Sequence, residues 1–247
     1  MSNPVILITG ALTGIGRATA LAFAKIGARL VISGRRPAEG KALEVELQRL
    51  GAEAVFVQAD VQHDEEVRRL IDQAVARFGR LDAAVNVAGT EGQPGLIVNQ
   101  TAESYAATFD TNVLGTLLSL KHEMRVMTAQ KSGSIINISS TLVMKGPPTP
   151  RSILPASTPS RASPSRPRWK RPRAAFASMR WRRGRPTPML DRFTGTPENK
   201  AALVSGVPLG RVGKPADIAQ MIAFLASDAA SFVTGQIVSV DGGKSAG

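Results

Sequence analysis

Cysteine is missing from the 247 residues, and tyrosine occurs once, at Tyr105. Without cysteine there is no disulfide framework, no thiolate nucleophile and no thiolate metal ligand, a composition that suits a reducing compartment. Aromatic residues are scarce, and no run approaches the roughly 18 apolar residues that a membrane-spanning helix needs. The opening MSNPVILITG has no basic segment ahead of its apolar run, which breaks at Gly10, so no secretory signal is expected. These absences predict a soluble, cytoplasmic protein with no membrane partner.

Acidic residues are missing from one stretch in particular. Residues 151–186 hold ten Arg, one Lys and no Asp or Glu, and so account for nearly all of the formal +12. A charge of that size ordinarily points to a polyanionic partner. Here it belongs to a single insert, and the rest of the chain is close to neutral. Length and a hydrophobic content of 43% suit one α/β domain with a sizeable core.

What is present over residues 4–140 is a strict alternation. PVILIT, RLVIS, AVFVQ, LDAAVNV and GSIINIS read as short buried strands, and residues 15–26, 37–50, 63–78 and 101–128 read as helices. Strand and helix in alternation predict a parallel, doubly wound α/β sheet that binds ligands at the carboxyl ends of its strands. The first such end is TGALTGIGRA, Thr9 to Ala18. Gly10 permits a tight turn, Gly14 lets backbone approach a pyrophosphate, and Gly16 allows close packing of helix and strand; the helix amino terminus supplies N–H donors. His63 and His122 are too isolated for a metal site and are read as solvated helix residues.

With these residues the chain resembles the short-chain dehydrogenases/reductases. Thr9-Gly10-x-x-x-Gly14-Ile15-Gly16, with Thr13 inside it, matches their cofactor loop. Asp60-Val61 is similar to the pair that contacts adenine, and Asn86-Val87-Ala88-Gly89 to the family's N-N-A-G, with Val87 replacing the second Asn. Asn112 matches the structural and proton-relay asparagine, and Ser140 the catalytic serine. GRVGKPADIAQMIAFLASDAASFVTGQIVSVDGG resembles the last helix, last strand and D-G-G turn. Singly, Asp60 also suits a helix cap, Asn112 a backbone partner and Ser140 a strand-end hydroxyl. The resemblance spans residues 4–146 and 187–244 and implies a single Rossmann-type domain over 1–247, NAD(P)-dependent chemistry on a small alcohol or carbonyl compound, and a homo-tetramer. For cofactor choice, Gly34 stands where a carboxylate would hold the ribose of NAD, and Arg35 and Arg36 follow, which favours NADP over NAD.

The family's tyrosine and lysine are expected thirteen and seventeen residues after the serine, at positions 153 and 157, where this chain has Ile153 and Ser157. Both positions fall in the anomalous segment, residues 147–186. The loss of one nucleotide near codon 146 accounts for this. Shifted by one base, Ser152-Ile153 permits tyrosine at 153, Ala156-Ser157 permits lysine at 157, and AFASMRWRRG can be read back as G-I-R-V-N-A-V-A-P-G, the family's sixth strand and following turn. As written, the segment has the proline content and like charge of one that stays disordered or non-native. Three readings follow: an oxidoreductase by descent, inactive as written; a catalytically dead dinucleotide-binding protein; and, last, a nucleic-acid binder acting through the basic segment, for which nucleic acid is the least expected partner.

Overall fold

The computed structural model describes residues 3–90, 92, 96–139, 173–175 and 207–245, the three residues of 173–175 by their backbone. The strands are β1 (Val5–Thr9), β2 (Arg29–Gly34), β3 (Ala54–Gln58), β4 (Ala83–Asn86), β5 (Ser134–Asn137) and β6 (Arg173–Ala175), and they pair in the order β3-β2-β1-β4-β5-β6. Every pairing is parallel. The helices are α1 (Gly14–Ala24), α2 (Pro37–Arg49), α3 (Asp64–Phe78), α4 (Ala102–Phe109), α5 (Gly115–Gln130) and α6 (Pro215–Leu225). Successive strand residues point to opposite faces, and both faces are covered. Ile6 and Ile8 pack towards α1, α2 and α6 through Phe23, Leu47 and Ile222. Val5 and Leu7 pack towards α3 and α5 through Leu70, Ile71 and Met127. The doubly wound parallel sheet is therefore present.

Three expectations change. The sixth strand slot is filled by Arg173–Ala175, three residues that form a strand within the segment expected to be disordered or non-native; the rest of 147–186 lies outside the described residues. The outer edge of β5 carries backbone groups that need partners, and a short Arg-Ala-Ala run supplies them. The expected last strand is not formed: residues 236–240 run without a ladder, and Ile237 makes an isolated bridge. Val238 and Val240 nonetheless pack against the core. Third, the helix expected over 101–128 is α4 and α5 joined by a π turn at Asp110–Leu114.

Close approach of helix to strand also depends on Gly40 in α2. A Cβ added there would lie 2.2 Å from Cε2 of the buried Phe56. Alanine would raise helix propensity by about 1 kcal/mol, but forcing a methyl into a packed core costs about 1–3 kcal/mol. Gly40→Ala should therefore lower the urea midpoint of unfolding; a midpoint above the parent's would show that the Phe56 ring turns aside freely.

Candidate functional site

The sheet order reverses between β1 and β4, and the loops leaving these two strands diverge to opposite faces. After β1 the chain turns at Gly10, whose φ of 65° is left-handed. A Cβ at Gly10 would lie 2.6 Å from the backbone N of Ala88, so the two loops touch through bare backbone. Gly16, in the first turn of α1, comes so near the Gly10 carbonyl that a Cβ would be 2.2 Å from its oxygen. Gly14 differs: its φ is 53°, and a Cβ there would meet nothing within 4 Å. Thr13, extended and exposed, is the N-cap and its side chain makes no cap bond; α1 has no acidic residue in its first turn. Ile15 packs against the core and steadies the helix start. Open space, left-handed backbone and unshielded helix N–H groups together form a cradle for an anion.

The β4 loop is held at both ends. Asn86 is buried; its Nδ2 donates to Asn137 Oδ1 at 2.9 Å and to Glu123 Oε2 at 3.1 Å. The Thr9 hydroxyl donates to Asn86 Oδ1 at 3.4 Å, and the Ala88 N–H points to that hydroxyl at 3.5 Å. At the far end Asn112 Oδ1 accepts the Thr90 N–H and Asn112 Nδ2 donates to the Thr90 carbonyl, both at 2.8 Å. Asn112 lies within the π turn, and Gly89 passes close enough that a Cβ would be 3.2 Å from its Oδ1. π turns of this kind concentrate at functional sites. The Asn86 side chain thus faces inward, and the loop's exposed edge is backbone from Ala88 to Thr90.

At the end of β3, Asp60 Oδ1 accepts the Gln62 N–H at 3.1 Å, while the Asp60 N–H donates to Glu66 Oε2 at 2.9 Å. Asp60 turns the chain ahead of α3, whose N-cap is His63. Its other oxygen is 3.6 Å from Arg35 Nη1, an exposed guanidinium at the end of β2. Arg36 pairs with Glu39 at 3.3 Å. Val61 is buried against Gly115, where a Cβ would be 2.6 Å from its Cγ2. The cofactor-loop glycines, Arg35, Asp60 and the β4 loop all lie at the carboxyl ends of the strands. Ser140, Ile153 and Ser157 lie outside the described residues.

His63 is exposed as expected; His122 is not. It is buried on the inner face of α5, with Nε2 2.9 Å from Asp64 Oδ1 on α3. Lys121 shares that carboxylate, and hydrogen bonds from Lys121 and His122 hold Asp64 below the usual carboxylate range. Among the described residues no group of three His, Cys, Asp or Glu is placed to hold a metal. The neighbouring Glu123 was not singled out from the sequence. Its signal is the helical spacing of Ser119, His122, Glu123 and Met127, all buried on one face.

Burial pushes the Glu123 carboxyl up to about 7, against the opposing hydrogen bond from Asn86. Its Oε1 has no hydrogen-bond partner among the described residues. The folded state therefore binds a proton that the unfolded chain, near 4.5, releases. That contribution is fully present below about 4.5 and is lost as pH rises through about 7. Asp64, Glu66 and Asp217, all lowered, act in the opposite sense and in a more acidic window. Melting curves from pH 5 to 8 should show stability falling with pH in the parent and a flatter profile in Glu123→Gln; parallel profiles would contradict the assignment.

The family model described as short chain dehydrogenase matches residues 4–150, and the one described as Enoyl-(Acyl carrier protein) reductase matches 185–245. An uncharacterized oxidoreductase of Methylorubrum extorquens is 37% identical over 98% of both chains. The 3-oxoacyl-[acyl-carrier-protein] reductase of Thermotoga maritima is 32% identical, again over 98% of both. The solved actinorhodin polyketide ketoreductase with NADPH superposes with a TM-score of 0.82 at 26% identity, covering 98% of this chain and 97% of that one. With a dinucleotide-type loop at the switch point of a parallel sheet and relatives matched along nearly its full length, the chain belongs to the short-chain dehydrogenase/reductase family of NAD(P)-binding oxidoreductases.

Proposed function

We propose that this protein is an NADP(H)-preferring short-chain oxidoreductase by descent, acting on a small alcohol or carbonyl compound, and that the chain as written binds the dinucleotide without turnover. One contrast carries the reading. The cofactor loop, the β4 loop and the Asn112 turn are built, whereas Ile153 and Ser157 occupy the positions that the count from Ser140 reserves for tyrosine and lysine. The domain is single, interrupted by residues 147–186.

The residues fit a dinucleotide. The open face of Gly14 and the α1 amino terminus would hold the pyrophosphate, Asp60 and Val61 the adenine side, and the backbone of Ala88 and Gly89 the nicotinamide side. Gly34 and the exposed Arg35 support NADP over NAD, since a guanidinium can pair a 2′-phosphate. The ketoreductase neighbour, solved with NADPH, supports the same choice. When bound, the nicotinamide supplies or accepts the hydride at the substrate carbon.

The proton at the substrate oxygen must then move through the protein. In the family a tyrosine handles it, its phenol lowered from about 10 by a lysine ammonium, while serine hydrogen-bonds the developing oxyanion. Ile153 and Ser157 can do neither job, and the lone Tyr105 is stacked on Phe109 in α4, with ring centroids 4.1 Å apart. Ser140 and Asn112 are left to orient a substrate that has no proton donor. A reading-frame lesion explains the loss, and the family matches support it: they end at 150 and resume at 185, on either side of the basic stretch. Exposed Tyr105, Leu117 and Met124 on α4 and α5 support assembly through that face, and a homo-tetramer is the form we propose.

Titrating the full chain into NADPH should give saturable nicotinamide fluorescence, while NADPH oxidation with a panel of ketones stays at the blank rate. The protein translated in the restored frame should turn over at least about 100-fold faster, the usual scale of one acid/base group. Equal turnover by the two proteins would overturn the inactivity; absence of binding by both would overturn the cofactor assignment.

A further inference from the structure

At the end of β2 the chain does more than omit a carboxylate. Gly34 is fixed on both sides: it is in register with Gln58 in the β2–β3 ladder, its carbonyl accepts the Ala59 N–H at 3.3 Å, and the preceding Ser33 carbonyl accepts the Ala11 N–H at 3.0 Å. That last bond brings the loop after β1 directly over the strand end. The next residue, Leu12, packs its side chain against the main core cluster. A Cβ built on Gly34 would lie 2.7 Å from Leu12 Cδ1 and 2.8 Å from Leu12 Cγ. Both atoms are nearer than real Cβ contacts allow, and the branch carbon is involved as well as one methyl tip.

We propose that Leu12 is a cofactor-specificity residue: its isobutyl group occupies the space that any side chain at position 34 must enter, and so bars the carboxylate by which a dinucleotide site holds the free ribose hydroxyls of NAD. This rests on the dinucleotide reading above and deepens it. Recognition by an acid at the β2 end requires a carboxylate on that strand's last residue, aimed at the ribose. Here the strand's backbone is bonded to β3 and to the β1 loop, and the half-buried Leu12 packs against the core, so a side chain at 34 must displace its isobutyl group. The exposed Arg35 guanidinium, 3.6 Å from Asp60, is the charged group that follows at the strand end. Selectivity against NAD is thus set from within, by a residue that makes no polar contact with the cofactor.

The consequence is a coupling between positions 12 and 34. Four full-length proteins test it: the parent, Leu12→Ala, Gly34→Asp and the double variant, each assayed for thermal midpoint and for NADH and NADPH affinity by fluorescence titration. Gly34→Asp alone should lower the midpoint by several degrees and leave NADH affinity within about 2-fold of the parent. Adding Leu12→Ala should restore the midpoint towards that of Leu12→Ala alone and tighten NADH by about 10-fold, a non-additive result expected only for residues in contact. If Gly34→Asp by itself tightens NADH as far as the double variant does, at an unchanged midpoint, Leu12 bars nothing and the proposal is wrong. A double variant that gains no NADH affinity, while the parent binds NADPH, also overturns it. If no protein of the four binds either dinucleotide, the cofactor reading itself has failed and takes the proposal with it, an outcome separate from the other two.

Discussion

The cleft depends on how closely two pieces of backbone approach at the switch point between β1 and β4. Gly10 lies against Val87 and Ala88, and Gly16 against the Gly10 carbonyl, with no room for a single added carbon at either place. These contacts are steric, and they fix where α1 begins relative to the β4 loop. The groups we propose to hold a dinucleotide are then placed by the sheet: Gly14 faces open space, Arg35 and Asp60 stand at the ends of β2 and β3, and the β4 loop lies opposite. Sheet pairing supplies the long-range order, and the glycines supply the short-range fit.

Beneath this cleft runs a row of buried polar side chains, Thr9, Asn86 and Asn137, on the last residues of three adjacent strands, joined by Glu123 from α5. Burying such groups is costly unless they are hydrogen-bonded to one another. Here the bonds tie the strand ends together while Asn112, in its π turn, holds the far end of the β4 loop. The same loop is therefore anchored at one end by the sheet and at the other by the helix, and its backbone faces the cleft between the two anchors.

Much of this was legible in the sequence. AVFVQ is β3 residue for residue, and RLVIS and PVILIT fall within one residue of β2 and β1, because fully buried parallel strands read as unbroken apolar runs. The glycine roles follow from a loop motif whose geometry permits few residue types. The π turn at Asp110–Leu114 was not legible, since one wider turn hardly disturbs the spacing of side chains along the helix. His122 reads as solvated and Glu123 does not stand out because polar residues ordinarily mark a solvated face, and only their phase with Ser119 and Met127 betrays the burial. The clash between Leu12 and a side chain at 34 joins residues 22 positions apart and needs coordinates to be seen.

We propose that an oxidoreductase framework encloses a segment read in the wrong frame. Its basic charge and the loss of the tyrosine–lysine pair then share one cause. The most direct test is to sequence the coding DNA across codons 140–190, with an intact mass of the purified protein beside it. The account predicts one nucleotide missing near codon 146, whose restoration places tyrosine at 153 and lysine at 157. DNA and mass that both agree with the chain as written, in a strain whose close relatives carry the same basic codons, would contradict it and make the arginine-rich segment a feature in its own right.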